Sequence, residues 1–175
     1  RILSAAETAN WDIVHPAAWL HDCVFVAKDS PDRARASTLS ADHAVQLLKQ
    51  AEYPPEHFDA IHHAIAAHSF SANIETKTLE AMVLQDADRL DALGAFGLSR
   101  CLMLGGHMNS ELMSREDPFC ETREPDDAKY VIDHFYRKLL KLEDSMKTKA
   151  GRDLAKERAD VLRDFLAQLR RELPS

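Results

Sequence analysis

VLQDADRLDALGAFG, residues 83–97, places three aspartates inside six positions of a run that otherwise reads as buried helix. A carboxylate in apolar surroundings is costly unless something pairs with it. The stretch therefore asks which fold would bury it and what its acids would meet. Residues three and four apart share a helix face. Val83, Ala87, Leu90, Gly94 and Gly97 form one small, apolar row. Leu84, Asp88, Asp91, Ala95 and Leu98 form the next, apolar except for two aspartates one turn apart. Asp86 falls on a third row with Met82, Arg89 and Leu93, where it would face outward and pair with Arg89. The wheel turns Asp88 and Asp91 inward, although a solvated stripe edge or an internal salt bridge accounts for the same spacing.

Working outward, helical periodicity recurs on both sides. The spacing predicts one long helix over 77–104, stopped by Gly105-Gly106. Upstream, 1–10 reads as the tail of a helix, whose abrupt start at Arg1 leads us to expect further residues before it. Pro16 suits a helix first turn, followed by an apolar helix through AAWLHDCVFVAK to Lys28. A polar loop covers 28–37. Helices follow at 40–51 and, after Tyr53-Pro54-Pro55, along a face carrying Phe58, Ile61, Ile65 and His68. Downstream, 107–125 is irregular, and helices are predicted at 126–142 and 150–173. Trp11, Trp19 and the phenylalanines stand at core-like spacing. With no strand pair, repeat or linker, the expectation is an all-α helical bundle of about six helices, a single domain over residues 1–175.

Composition narrows the function classes. The chain has 175 residues, 45% of them hydrophobic and 29% charged, ordinary values for a globular domain. Its net charge of −7 argues against an extended nucleic-acid surface. A local cluster of Lys and Arg could still hold a small anion. Cys23, Cys101 and Cys120 lack CxxC spacing, which points to packing roles and a reducing, cytoplasmic setting. No stretch approaches the roughly 18 apolar residues of a membrane span, and no signal peptide, phosphate-binding P-loop or G-x-S-x-G elbow is present.

His21-Asp22 is the second polar feature, isolated within AAWLHDCVF. It is either a hydrogen-bonded core histidine beside an acid or half of a metal site. Imidazole with carboxylates suits Mn, Fe, Co, Ni or Zn, in an open rather than a closed structural site. Lys28, Arg33, Arg35 and Ser37 form a plausible phosphate cradle, with a solvated loop as the competing account. Lys28 would share the His21 face, about 10 Å along, if the helix persists. His68 ends an apolar face and points inward, as a core histidine or as a group that touches substrate. His62, His63 and His43 read as surface residues. His134 and Lys138, four apart, could line a pocket mouth or form a surface pair.

His21-Asp22 followed by ADRLDALG (87–94) resembles the HD phosphohydrolase superfamily, whose metal ligands run His … His-Asp … Asp. AKDSPDRARAS (27–37), AAHSFSANI (66–74), VLQDADRLDALGAFGLSR (83–100), DPF (117–119), DHFYRKLLKL (133–142) and the tail from Met146 resemble its bacterial YedJ/YpgQ-type branch. The likeness spans nearly the whole chain. It implies an HD-domain bundle around one metal site, with His21, Asp22 and Asp88 as ligands. Arg1-Ile2-Leu3 resembles the end of an H-x-x-R-V-like element, so the family's first ligand histidine would fall three positions before Arg1.

The resemblance further implies one divalent ion (Mn, Mg, Co, Ni or Fe) and a nucleotide substrate. A nucleoside triphosphate would be cleaved to monophosphate and pyrophosphate by activated water. Asp91 and His68 would move protons, and Lys28, Arg35, Ser37, His134 and Lys138 would bind phosphate or substrate. A homodimer is compatible with the sequence. The alternatives are a non-catalytic HD module that senses nucleotide or metal, and a di-iron HD oxygenase, which would need more inward histidines.

Overall fold

The computed structural model describes residues 1–27, 30–69 and 72–173. The chain is all-α: α1 Ile2–Glu7, α2 Trp11–Leu20, α3 Ala36–Gln50, α4 Phe58–His68, α5 Leu79–Asp91, α6 Gly94–His107, α7 Asp133–Arg137 and α8 Lys149–Glu172. Among the described residues the only β feature is an isolated bridge between Glu111 and Tyr130. No described helix is long and apolar enough to cross a membrane. The chain forms two compact units, Arg1–Asp88 with Lys147–Ala150, and Arg89–Met146 with Gly151–Ser175.

In the first unit, α3 and α4 pack through small residues. Ala41, Ala44 and Ala64 are fully buried, which lets the two backbones approach closely. Ile61 and Ile65 on α4 are also fully buried, each stabilising the core by about 1.5–3 kcal/mol. Ile13 and Ala17 of α2 join the same core.

The second helix departs from its expected span at both ends. Asn10 caps it by accepting from the Asp12 amide at 2.9 Å, so Pro16 sits inside the helix rather than in its first turn. A proline there cannot donate to the carbonyl four residues back. That carbonyl, on Asp12, is instead served by the Tyr53 hydroxyl at 2.7 Å. α2 ends at Leu20 instead of running to Lys28. Val24, Phe25 and Val26 are weak helix formers, and the His21 ring takes up the Ala18 carbonyl at 2.8 Å, satisfying one of the last-turn acceptors. The inference that Lys28 shares a helical face with His21 therefore fails. Lys28 itself lies outside the described residues.

The aromatic residues of this region are not core as expected. Trp19 is 77% exposed and Phe25 89% exposed. Trp11, His15 and Trp19 recur every four residues along the outer face of α2; Trp11 stacks on His15 at 4.8 Å, and Trp19 meets His15 edge-on, its Nε1 donating to His15 Nε2 at 3.1 Å.

The long acidic helix is two helices. α5 stops at Asp91, and Gly94 opens α6 at φ 70°, a left-handed conformation that favours glycine. The Arg158 guanidinium donates to the Leu90 carbonyl at 2.8 Å, closing the end of α5. Gly105-Gly106 does not stop α6, which continues to His107. A Cβ at Gly105 would stand 2.2 Å from Val131 Cγ2, so this glycine serves close packing.

Asp86 overturns its expected outward placement. It is fully buried, and its carboxylate accepts from the Lys147 amide, the Thr148 amide and the Thr148 hydroxyl, each at 2.8 Å. A buried acid is tolerated here because three donors compensate for lost water. The predicted inward row shows the reverse: Asp88 and Asp91 are both exposed.

In the second unit, the predicted helix 126–142 shrinks to α7, followed by short 3-10 turns at Leu139–Lys141 and Glu143–Ser145. Asp126 bonds its own neighbourhood, accepting from the Ala128 amide, and so competes with helix formation. The irregular 108–132 stretch is pinned by two acids. Asp117 accepts from the amides of Glu121, Thr122 and Arg123. Buried Asp133 pairs with both terminal nitrogens of Arg123 and accepts from the Asp126 amide at 2.7 Å. All three cysteines are free and half-buried.

Candidate active site

His21 and His68 stand at matching places, one just past the end of α2 and one closing α4. Each turns Nδ1 onto the carbonyl three residues back, His21 to Ala18 at 2.8 Å and His68 to Ile65 at 2.6 Å. A carbonyl can only accept, so each ring carries a proton on Nδ1, and in its neutral form Nε2 presents the bare lone pair. The two rings meet edge to face with centroids 4.9 Å apart. His68 is buried, His21 half-buried.

The acids gather on those Nε2 atoms. Asp22 bridges the pair, with Oδ2 3.8 Å from His21 Nε2 and Oδ1 3.7 Å from His68 Nε2. Asp88 Oδ1 lies 3.9 Å from His21 Nε2. One donor atom each from His21, Asp22 and His68 falls within 4.8 Å of the others, a group that could hold a metal ion. Two donors about 2.1 Å from one ion stand from about 3.0 Å apart at right angles to about 4.2 Å when opposite, and the 3.8 and 3.9 Å spacings of His21 with Asp22 and Asp88 and the 3.7 Å spacing of His68 with Asp22 fall in that range. Engaging Nδ1 with a carbonyl also fixes ring orientation, as metal-ligating histidines normally require. Nitrogen and carboxylate donors together suit borderline divalent ions.

Beside this cluster lies a cleft of about 240 Å³, lined by residues including Asp22, Phe25, Arg33, Ser37 and His68. The cleft draws on Arg33, where the resemblance implied Arg35. Arg33 donates to the Val26 carbonyl at 2.9 Å, tying the loop back on itself, whereas Arg35 pairs with Asp32 at 3.1 Å. The two arginines lie two residues apart in the 3-10 turn Arg33–Arg35 and take different partners. Ser37 is buried and donates to the Ala66 carbonyl at 2.9 Å.

The remaining candidates belong to the second unit. Asp91 pairs with Arg100 through its carboxylate, and its carbonyl accepts from the same guanidinium at 3.0 Å. His134 bonds Asp127 at 2.9 Å. Lys138 is exposed and follows α7 at φ −134°, so it does not continue the helical face of His134. In the first unit, His62 pairs with Asp42 at 2.9 Å. His63 accepts from the Lys77 amide, and burial, then Lys77 and His62, hold it below the usual histidine range.

Comparison with known proteins follows the same line. The HD domain family model matches residues 2–93. The uncharacterized protein YpgQ of Bacillus subtilis is 33% identical over 172 residues, covering 96% of this chain and 76% of its own. The crystal structure of YpgQ in complex with ADP superposes with a TM-score of 0.74 at 32% identity, over 99% of this chain and 83% of that one. An HD-superfamily hydrolase from Bacillus thuringiensis superposes at 0.73 and 29% identity, over 97% and 78%. With its His-Asp pair and convergent Nε2 atoms inside the matched region, the chain belongs to the HD-domain family and stands with its YpgQ-type branch.

Proposed function

We propose that this chain is a metal-dependent phosphohydrolase acting on a nucleotide, cleaving a nucleoside triphosphate to monophosphate and pyrophosphate. The observation that carries the reading is the convergence of His21 and His68 Nε2 on Asp22, with Asp88 at 3.9 Å from His21. Likeness to a hydrolase and to a protein crystallised with ADP supports it. The ion would be held by His21, Asp22 and Asp88, with His68 beside them. It would supply Lewis acidity to phosphate oxygens and acidify a water.

The chain's own groups do the rest. Asp22 sets one carboxylate oxygen beside each imidazole Nε2, while the Ala18 and Ile65 carbonyls orient the rings. His68 faces the cleft, and its bare Nε2 can take a proton from water and return it to a leaving oxygen. Arg33 brings a guanidinium to the same cleft, where it offsets charge on non-bridging oxygens. Lys28, Arg35 and Ser37 complete the proposed phosphate-binding segment. Asp91, His134 and Lys138 remain proposals for proton handling and substrate contact.

The test is release of orthophosphate and pyrophosphate, followed separately, from nucleoside di- and triphosphates with Mn²⁺ added. Pyrophosphate from triphosphates is expected. Stoichiometric nucleotide binding without release under any divalent ion would replace this reading with a sensor.

A further inference from the structure

Phe25 is the most exposed large apolar side chain of the described residues, at 89%, yet it lines the cleft shared with Asp22, Arg33 and His68. An apolar ring left in water at the mouth of a polar cleft marks a place for a ligand rather than for the core. The segment that carries it is not helical. It is anchored from behind, because the Val24 amide donates to Ser40 Oγ at 3.2 Å and the Val26 carbonyl accepts from Arg33 at 2.9 Å. The ring is thus presented by a fixed backbone between two tethered neighbours.

The cleft's size says which part of a ligand the ring would meet. At about 240 Å³ it falls short of the roughly 300–1,000 Å³ that encloses a whole small-molecule ligand. The Arg33 guanidinium in its lining suits a phosphate, and the remainder of a nucleotide would project past the rim. We propose that Phe25 is the stacking platform for the nucleobase, a specificity-determining contact that selects nucleotides over base-free phosphate chains. This rests on the phosphohydrolase reading above. Among the described lining residues none is Asn or Gln, so the side chains best suited to reading a base edge are missing from this wall. Stacking accepts every base because each has a π-face. Purines and pyrimidines are therefore both accepted, with purines favoured by their larger face.

The experiment compares kcat/KM for ATP, CTP and methyl triphosphate, which carries the same phosphate chain without a base, in the wild type, Phe25→Leu and Phe25→Trp. Calorimetric binding of ADP is measured alongside. Phe25→Leu should lower the preference for ATP over methyl triphosphate about 5- to 150-fold, mainly through KM, while Phe25→Trp keeps it. ADP affinity should fall by a similar factor in Phe25→Leu. Equal losses on ATP and methyl triphosphate, or an unchanged preference, would overturn the platform. If the wild type cleaves none of the three, the phosphohydrolase reading fails, and ADP binding decides the platform by itself: affinity unmoved by Phe25→Leu rejects it.

Discussion

Asp86 and Asp88 are two residues apart on α5 and have opposite surroundings, one buried and one exposed. Asp86 holds the chain just ahead of α8 through two amides and a hydroxyl. Removing the carboxylate orphans buried donors, so Asp86→Ala should cost on the order of 3 kcal/mol. That corresponds to a fall of about 6–12 °C in Tm for a chain of this size. Asp88 is 43% exposed and faces His21. Asp88→Ala should leave Tm nearly unchanged, abolish turnover and lower bound Mn²⁺, read by calorimetric titration and metal content. Equal thermal losses in both variants would show that the two acids share one structural role. The sequence wheel assigned the pair the wrong way round in burial. It weighed hydrophobic neighbours on one helix, whereas Asp86 is buried by donors sixty residues away in the chain.

At the scale of elements, the ends of helices matter more than their lengths. His21 and His68 are placed by where α2 and α4 stop, each ring using Nδ1 to close a last turn and so turning Nε2 toward the Asp22 carboxylate. The apolar periodicity of α4 was legible, and its inward His68 is 5% exposed. The end of α2 was not, because AAWLHDCVFVAK has no proline or glycine after His21 to mark a stop. The break between α5 and α6 was hidden for a similar reason: Gly94 reads as one small residue of a packing row until its φ of 70° is seen. Gly94→Ala should destabilise by about 1–2 kcal/mol through the left-handed backbone alone. The added Cβ would also meet Arg158 Cγ at 3.2 Å. A urea titration measures this, and a change of less than about 0.5 kcal/mol would show that the turn relaxes freely.

For the whole molecule, the two units carry different titrating groups and should answer acid differently. In the first, His63 is held below its ordinary value, so the unfolded chain binds its proton more readily and stability falls as pH drops through about 6.5. In the second, Asp117 is lowered to about 2, by the Glu121 and Thr122 amides first. For Asp133, burial pushes the carboxyl up, but the Arg123 pairing and the Asp126 amide outweigh it. Lowered carboxylates contribute stability above their unfolded value near 4, and it is lost as pH falls toward the folded value. Calorimetric scans should therefore show a first loss as pH falls below about 6.5, reduced in His63→Gln. A second loss should fall between about pH 4 and 2, reduced in Asp117→Asn. A pH profile identical in wild type and Asp117→Asn would contradict the assignment.

Helical periodicity and the absence of strand signals were enough to determine an all-α chain, because local spacing is a property of the linear chain, and the HD domain was legible through the resemblance of several stretches together rather than through the His-Asp pair alone. Which acid is buried, which arginine lines the cleft and where α2 ends depended on partners distant in sequence, such as Thr148 for Asp86, Ser40 for the loop after His21 and Tyr53 for the carbonyl that Pro16 leaves open. Those are hydrogen bonds closed only by tertiary packing. No pattern within one helix can specify them, and they decide how the imidazole nitrogens and carboxylates come to face one another.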